Sequence, residues 1–314
     1  MKNKEANFQI LKIAAMLMIV SHHLVAKNVF NIDTQVIGIT GNKLALQVLG
    51  NNAFIGNNMF FFRGGVNKST LLQSIFPTIT GMWWYPTTYM IFLMIWPFYH
   101  HALLRFSIED LKRYVLIIFT IWSLSTLIPF ANLGANNLLA FLMLYAAVVL
   151  IKRLKIVFDN YRKVFFGFML IPYALAVLSM IALDLLGKRI PAAAEYSCYF
   201  MRGNYRPVSM MVSIGLFMWG TSWQVRTNRV IDYLADATFG VYLFHMYPPI
   251  MKILFEQIFL IQNVIDKPFA VLWLVAITVV IFLAGALIDI VRKVLFYTCD
   301  LLINQIRAKN NLST

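Results

Sequence analysis

An all-α bundle of membrane-spanning helices, about eight in number and forming one domain over residues 1–314, is the fold the sequence predicts. Three observations predict it. First, 60% of the 314 residues are hydrophobic and only 13% are charged, with a mean hydropathy of +0.71, far from the balance of a water-soluble domain. Second, long apolar stretches recur from the first ten residues almost to the last, which leaves no room for a separate soluble domain. Third, the net charge of +14 is carried by Lys and Arg placed between those stretches, where they orient a membrane chain. No nucleic-acid partner is implied.

The first stretch, Phe8 to Val29 (FQILKIAAMLMIVSHHLVAKNV), holds two histidines and no small-residue cleavage site, so it reads as a retained helix rather than a signal peptide. Asn28 to Lys68 is rich in Asn and Gly, and even its most apolar part, NNAFIGNNMFFF, is interrupted. It reads as too polar and too short for a span. Met82 to Leu104 opens on Trp83, Trp84 and Tyr85 and closes on Pro97, His100 and His101, a span anchored at both interfaces. Beyond the charged turn RFSIEDLKR, Tyr114 to Leu133 and Leu138 to Ile151 form a hairpin about the uncharged loop GANN.

A basic loop with Lys152, Arg153, Lys155, Arg162 and Lys163 leads into Val164 to Gly187, and a polar loop separates that span from Pro207 to Trp223. Ala237 to Leu260 contains GVYLFHMYPPI. There Pro248 and Pro249 remove backbone donors and break the helix just beyond His245, one way of opening a membrane helix around a site. Phe269 to Val291 is the last span, followed by a short amphipathic tail with Arg307 and Lys309.

With residues 28–68 left out of the count, the N-terminus, the 105–113 turn, the 152–163 and 224–236 loops and the tail share one side. That side carries most of the Lys and Arg, so it is expected to be cytoplasmic, both termini included, in a multi-pass protein of the cell membrane. Cys198 and Cys299 then face opposite sides and cannot pair. No Gly-rich phosphate loop, nucleophile elbow or metal-ligand cluster is present, and no metal is expected.

The candidate chemistry lies in the first stretch. Lys12 and His23 are eleven residues apart, which puts them within about 20° on one helix face and about 16 Å apart along the axis, roughly half the hydrocarbon thickness. His23 has two readings: an interfacial imidazole bonded to headgroups or backbone, or a buried neutral base able to take a proton from a hydroxyl. His22 lies about 100° round the helix, where a different neighbour would orient it. Lys12 either snorkels to the surface or binds the phosphates of an anionic donor. Arg105, Lys112 and Arg113 share its side, as a topology signal or as further donor-binding cations. His245 is either a packed core histidine or a site residue, and His100 and His101 read as interfacial. Trp84 and Tyr89 read as belt or supporting aromatics that could also hold a sugar.

Five stretches together resemble the family 3 membrane acyltransferases, which include bacterial O-acetyltransferases of surface polysaccharides. FQILKIAAMLMIVSHHLV is similar to the family's first helix, where a basic residue is followed after ten residues by a histidine. SIFPTITGMWWYPTTYMIFLMIWPFYHH, LLAFLMLYAAVVLIKRLK, NYRPVSMMVSIGLFMWG and ATFGVYLFHM resemble later spans in the family's order. The resemblance covers about residues 8–290. It implies transfer of an acyl group, usually acetyl from cytoplasmic acetyl-CoA, to a glycan hydroxyl, with His23 catalytic and Lys12 holding the donor; no bound cofactor is implied. The family typically has Arg where this chain has Lys12, and Lys cannot make the same bidentate contact with phosphate. The family also has about ten spans, so a pair of helices is missing after the first one here. Two further readings are an inactive remnant of such an enzyme and a glycan or lipid transporter or flippase, although no self-similar halves of the kind common in transporters are visible.

Overall fold

The computed structural model of the chain describes residues 2–26, 41–61, 84–129, 131, 133–155, 158–223, 225–226, 228–264, 267 and 269–311. All regular structure among them is helical. At the centre is α1 (Lys2–Ala26), which packs against α2 (Gly41–Phe61), α7 (Pro207–Thr221), α8 (Arg229–Met246) and α10 (Ala270–Asn311). A second group is formed by α3 (Trp84–Arg105) and α4 (Ile108–Trp122), which both pack on α5 (Asn137–Arg153), while α6 (Arg162–Gly187) runs along α7. A short α9 (Pro248–Lys252) continues into a π-helical turn, Ile253–Ile258.

Local chemistry explains where several helices begin. Ser107, Asn136 and Asn228 each accept a hydrogen bond on the side-chain oxygen from a backbone N–H in the first turn of α4, α5 and α8, satisfying donors that a helix start leaves orphaned. Of the two hairpin helices in the sequence reading, the first is shorter than expected and the second, α5, slightly longer. Tyr114 to Leu133 is divided, because α4 stops at Trp122 and a 3-10 turn, Leu124–Leu127, follows. Hydroxyls cause the break: Ser123 donates to the Tyr205 carbonyl at 2.7 Å and Thr126 to the Ser123 carbonyl at 2.6 Å, drawing the chain into side-chain bonds in place of helix. In contrast, α10 runs 42 residues, well past the expected end at Val291, since neither Gly nor Pro interrupts the segment after it.

Among the described residues, three helices are long and apolar enough to cross a membrane, Ala6–Ala26, Arg162–Gly187 and Ala270–Leu301, and Pro207–Thr221 is a shorter apolar helix. Met94, Phe98, Ile171, Leu175, Leu272 and Leu287 point outward and are exposed. So large an apolar exterior matches a lipid solvent rather than water. The chain is a membrane protein.

The polar stretch after the first helix, read as too polar and too short for a span, is not among the membrane-crossing helices of the described residues. Residues 28–40 and 62–68 of it lie outside the described residues, but 41–61 form one continuous helix. Its amides are bonded to later parts of the chain: Tyr173 of α6 donates to Asn52 at 3.1 Å, Gln47 to Asp184 of α6 at 3.4 Å, and Asn57 to Asn204 in the turn before α7 at 3.4 Å. Buried amides with partners hold helices together where apolar packing alone would not orient them. Gly56 sets the approach of α2 to α1, since a Cβ there would lie 2.6 Å from the Ala15 carbonyl oxygen. Gly56→Ala is therefore expected to push α1 and α2 apart at a cost of about 1–3 kcal/mol, read as a lower melting temperature of the detergent-purified protein.

Candidate active site

The last turns of α1 and α8 meet in the interior. His23 is 6% exposed and His245 is fully buried, and His23 Nδ1 lies 3.0 Å from His245 Nε2. The other nitrogen of His245, Nδ1, lies 2.7 Å from the Val241 carbonyl oxygen one turn earlier. A carbonyl only accepts, so His245 Nδ1 carries a hydrogen. With both rings neutral, His245 Nε2 then has the lone pair and accepts from His23 Nδ1–H. The remaining lone pair falls on His23 Nε2. A tautomer chain starting at a backbone carbonyl thus makes one nitrogen of His23 basic.

His245 occupies the end of its helix because the backbone turns there. Tyr247 adopts an extended conformation and caps α8, and Pro248 and Pro249 cannot continue the ladder. The break expected beyond His245 is present. His22 touches the His23 ring edge-on at 5.1 Å but is bonded elsewhere: its Nδ1 donates to the Gly50 carbonyl of α2, and its ring meets Phe54 edge-on at 5.5 Å. Adjacent histidines thereby tie α1 to α2 on one side and to α8 on the other.

An aromatic wall leads away from the pair. Tyr242 meets His245 edge-on at 6.0 Å between ring centroids, Tyr85 lies 6.0 Å from Tyr242, and Trp84 and Tyr89 lie 5.7 and 6.3 Å from Tyr85. The predicted Trp84 and Tyr89 are therefore connected to the histidines through Tyr85 and Tyr242. Tyr242 was not singled out by the sequence reading; its spacing of three residues from His245, which puts both on one helix face, was the available signal. Its hydroxyl is buried and makes no hydrogen bond among the described residues, although the Tyr85 backbone faces it. Trp83 lies outside the described residues.

The cations divide into two places. Lys12 is half-buried on α1, toward the helix end remote from His23. Arg105, Lys112 and Arg113 are exposed at the turn between α3 and α4, helices that pack on α5 rather than on α1. There Lys112 pairs with Glu109 at 2.8 Å and Arg113 with Asp110 at 3.8 Å. His100 is bonded to the Tyr145 hydroxyl at 2.7 Å and stacked on Trp96, apart from the His23 pair.

A family model described as an acyltransferase domain, Acyl_transf_3, matches residues 42–289. The matched stretch includes His245, Tyr242, Trp84 and Tyr89, and α1 precedes it. No curated protein and no solved structure matches the chain.

Proposed function

The chain belongs to acyltransferase family 3 and is an acyltransferase, and from that premise we propose that it moves an acetyl group from acetyl-CoA to a hydroxyl of a cell-surface or exopolysaccharide glycan. The observation that carries the reading is the His23–His245 pair, which supplies a buried, oriented imidazole with its lone pair on Nε2. His23 Nε2 takes the proton of the acceptor hydroxyl as that oxygen attacks the thioester carbonyl carbon. The carbon–sulfur bond breaks, and the proton passes from His23 to the departing sulfur. His245 positions His23 without touching substrate. The Tyr242 hydroxyl is a donor suited to the carbonyl oxygen as negative charge grows on it. Trp84, Tyr89 and Tyr85 offer ring faces to a sugar, and His22 holds α1 in register.

Lys12 binds the donor's phosphates, and Arg105, Lys112 and Arg113 contribute positive potential at the surface where the donor arrives. The donor's anionic and thioester ends are joined by a flexible arm, which suits a cation and a base separated by about 16 Å along one helix. The enzyme sits in the cell membrane with both termini cytoplasmic, the side on which acetyl-CoA is found.

The test uses full-length protein reconstituted in lipid nanodiscs with acetyl-CoA and de-O-acetylated polysaccharide, together with the O-acetyl content of surface polysaccharide from cells lacking and regaining the protein. Acetyl transfer in the first and restored O-acetylation in the second are expected. Glycan translocation without acetyl transfer would overturn the reading. Lys12→Arg is expected to lower the KM for acetyl-CoA severalfold, because a guanidinium grips phosphate with two parallel bonds. Lys12→Ala raises it about tenfold, with kcat little changed; steady-state kinetics over a range of acetyl-CoA checks both.

A further inference from the structure

On α8, Gly240 lies against Asp289 of α10. A Cβ at Gly240 would come within 2.3 Å of the Asp289 carboxylate, so the absent side chain is what lets that carboxylate sink between the helices to 3% exposure. Two cations reach back to it, Arg292 Nη2 at 2.8 Å and Lys293 Nζ at 2.9 Å. One carboxylate between two cations leaves a net positive charge. Neither cation is enclosed, since the side chains of Arg292 and Lys293 are 40% and 42% exposed.

Beside this triad a groove of about 280 Å³ runs between α8 and α10, lined by Phe239, Leu243, Phe244 and Ile288, with Tyr247 and Ile250 at its far end. It opens on the outward apolar face of α10, where Leu287 is 63% and Ile288 48% exposed. Depth distinguishes the two ends. From Ala270 to Arg292 the helix rises about 33 Å, close to the hydrocarbon thickness of about 30 Å. The cations therefore sit at a polar boundary, and the groove beside them extends into the hydrocarbon.

We propose that this groove holds one acyl chain of an anionic phospholipid, with the lipid phosphate bound by Arg292 and Lys293. A soluble anion would need the cations but not the apolar channel opening toward lipid. At the lower limit of ligand-pocket volumes, the channel suits a single chain better than a folded partner. The site is separate from the histidine pair, but it shares α8 with it: Leu243 and Phe244 line the groove immediately before His245. A bound lipid braces the helix that positions His23.

Native mass spectrometry of the full-length protein, incubated with equal amounts of dioleoyl phosphatidylglycerol and dioleoyl phosphatidylcholine, tests the proposal. The wild type is expected to retain one phosphatidylglycerol in preference to phosphatidylcholine. Arg292→Gln and Lys293→Gln each reduce that retention about fivefold. Ile288→Trp keeps every charge, changes an exposed position and fills the groove, and is expected to lose the same lipid while melting at an unchanged temperature. Equal retention of the two lipids by the wild type, or undiminished phosphatidylglycerol on Ile288→Trp, overturns the proposal. Ile288→Trp decides it alone if loss of one partner of Asp289 prevents folding of the charge variants.

Discussion

His23→Ala is expected to lower acyl transfer by about 10²–10⁴-fold, the range associated with loss of a positioned general base. The protein should still reach the membrane, because His22 retains its bond to α2, while melting somewhat lower for the loss of the buried His23 ring and its bond to His245. Two measurements check this: turnover of acetyl-CoA in nanodiscs, and O-acetyl content of the surface polysaccharide in cells carrying only the variant. The KM for acetyl-CoA should stay close to wild type, since the donor's phosphates are assigned to Lys12. Full restoration of O-acetylation by His23→Ala would remove His23 from the mechanism.

The second large effect is expected at His245, and there two substitutions separate orientation from bulk. His245→Ala removes the acceptor of the His23 Nδ1 hydrogen, leaving the ring free to turn or to change tautomer, and activity should fall about 10–100-fold, as for other residues that orient a reacting group. His245→Gln places a carbonyl oxygen within reach of the same hydrogen and should recover most of that loss. Both replacements remove the ring packed on Tyr242, so a purely structural role predicts equal losses. A kcat for His245→Gln no better than that for His245→Ala would sink the relay.

Much of the bundle was legible because apolar length and Pro-Pro breaks are local signals. Val164 to Gly187 was read end to end, and the interruption after His245 falls where two donors are missing. The site was legible only in pieces. His23 stood out as an imidazole inside an apolar helix, but its partner is 222 residues away, and no local pattern reports a contact of that separation. Tyr242 was hidden for another reason, since an aromatic in an apolar span resembles any other core residue. The bonds of α2 were not legible, since an Asn or Gln reports its polarity but not the distant group it will bond, and Ser123 ended α4 early through a bond to Tyr205, on a segment of the chain that follows α6.

The same amides bear on the order in which the chain assembles. Asn52, Gln47, Asn57 and the Ile55 carbonyl find their partners in Tyr173, Asp184, Asn204 and Ser213, between 121 and 158 residues further along the chain. During synthesis α2 therefore emerges long before the groups that bond its amides, and a buried amide left unbonded is costly. Its polar partners exist only once α6 and the chain up to α7 have been made. The first half of this protein is ordered by the second, and chains truncated before α6 should fail to fix α2 in place.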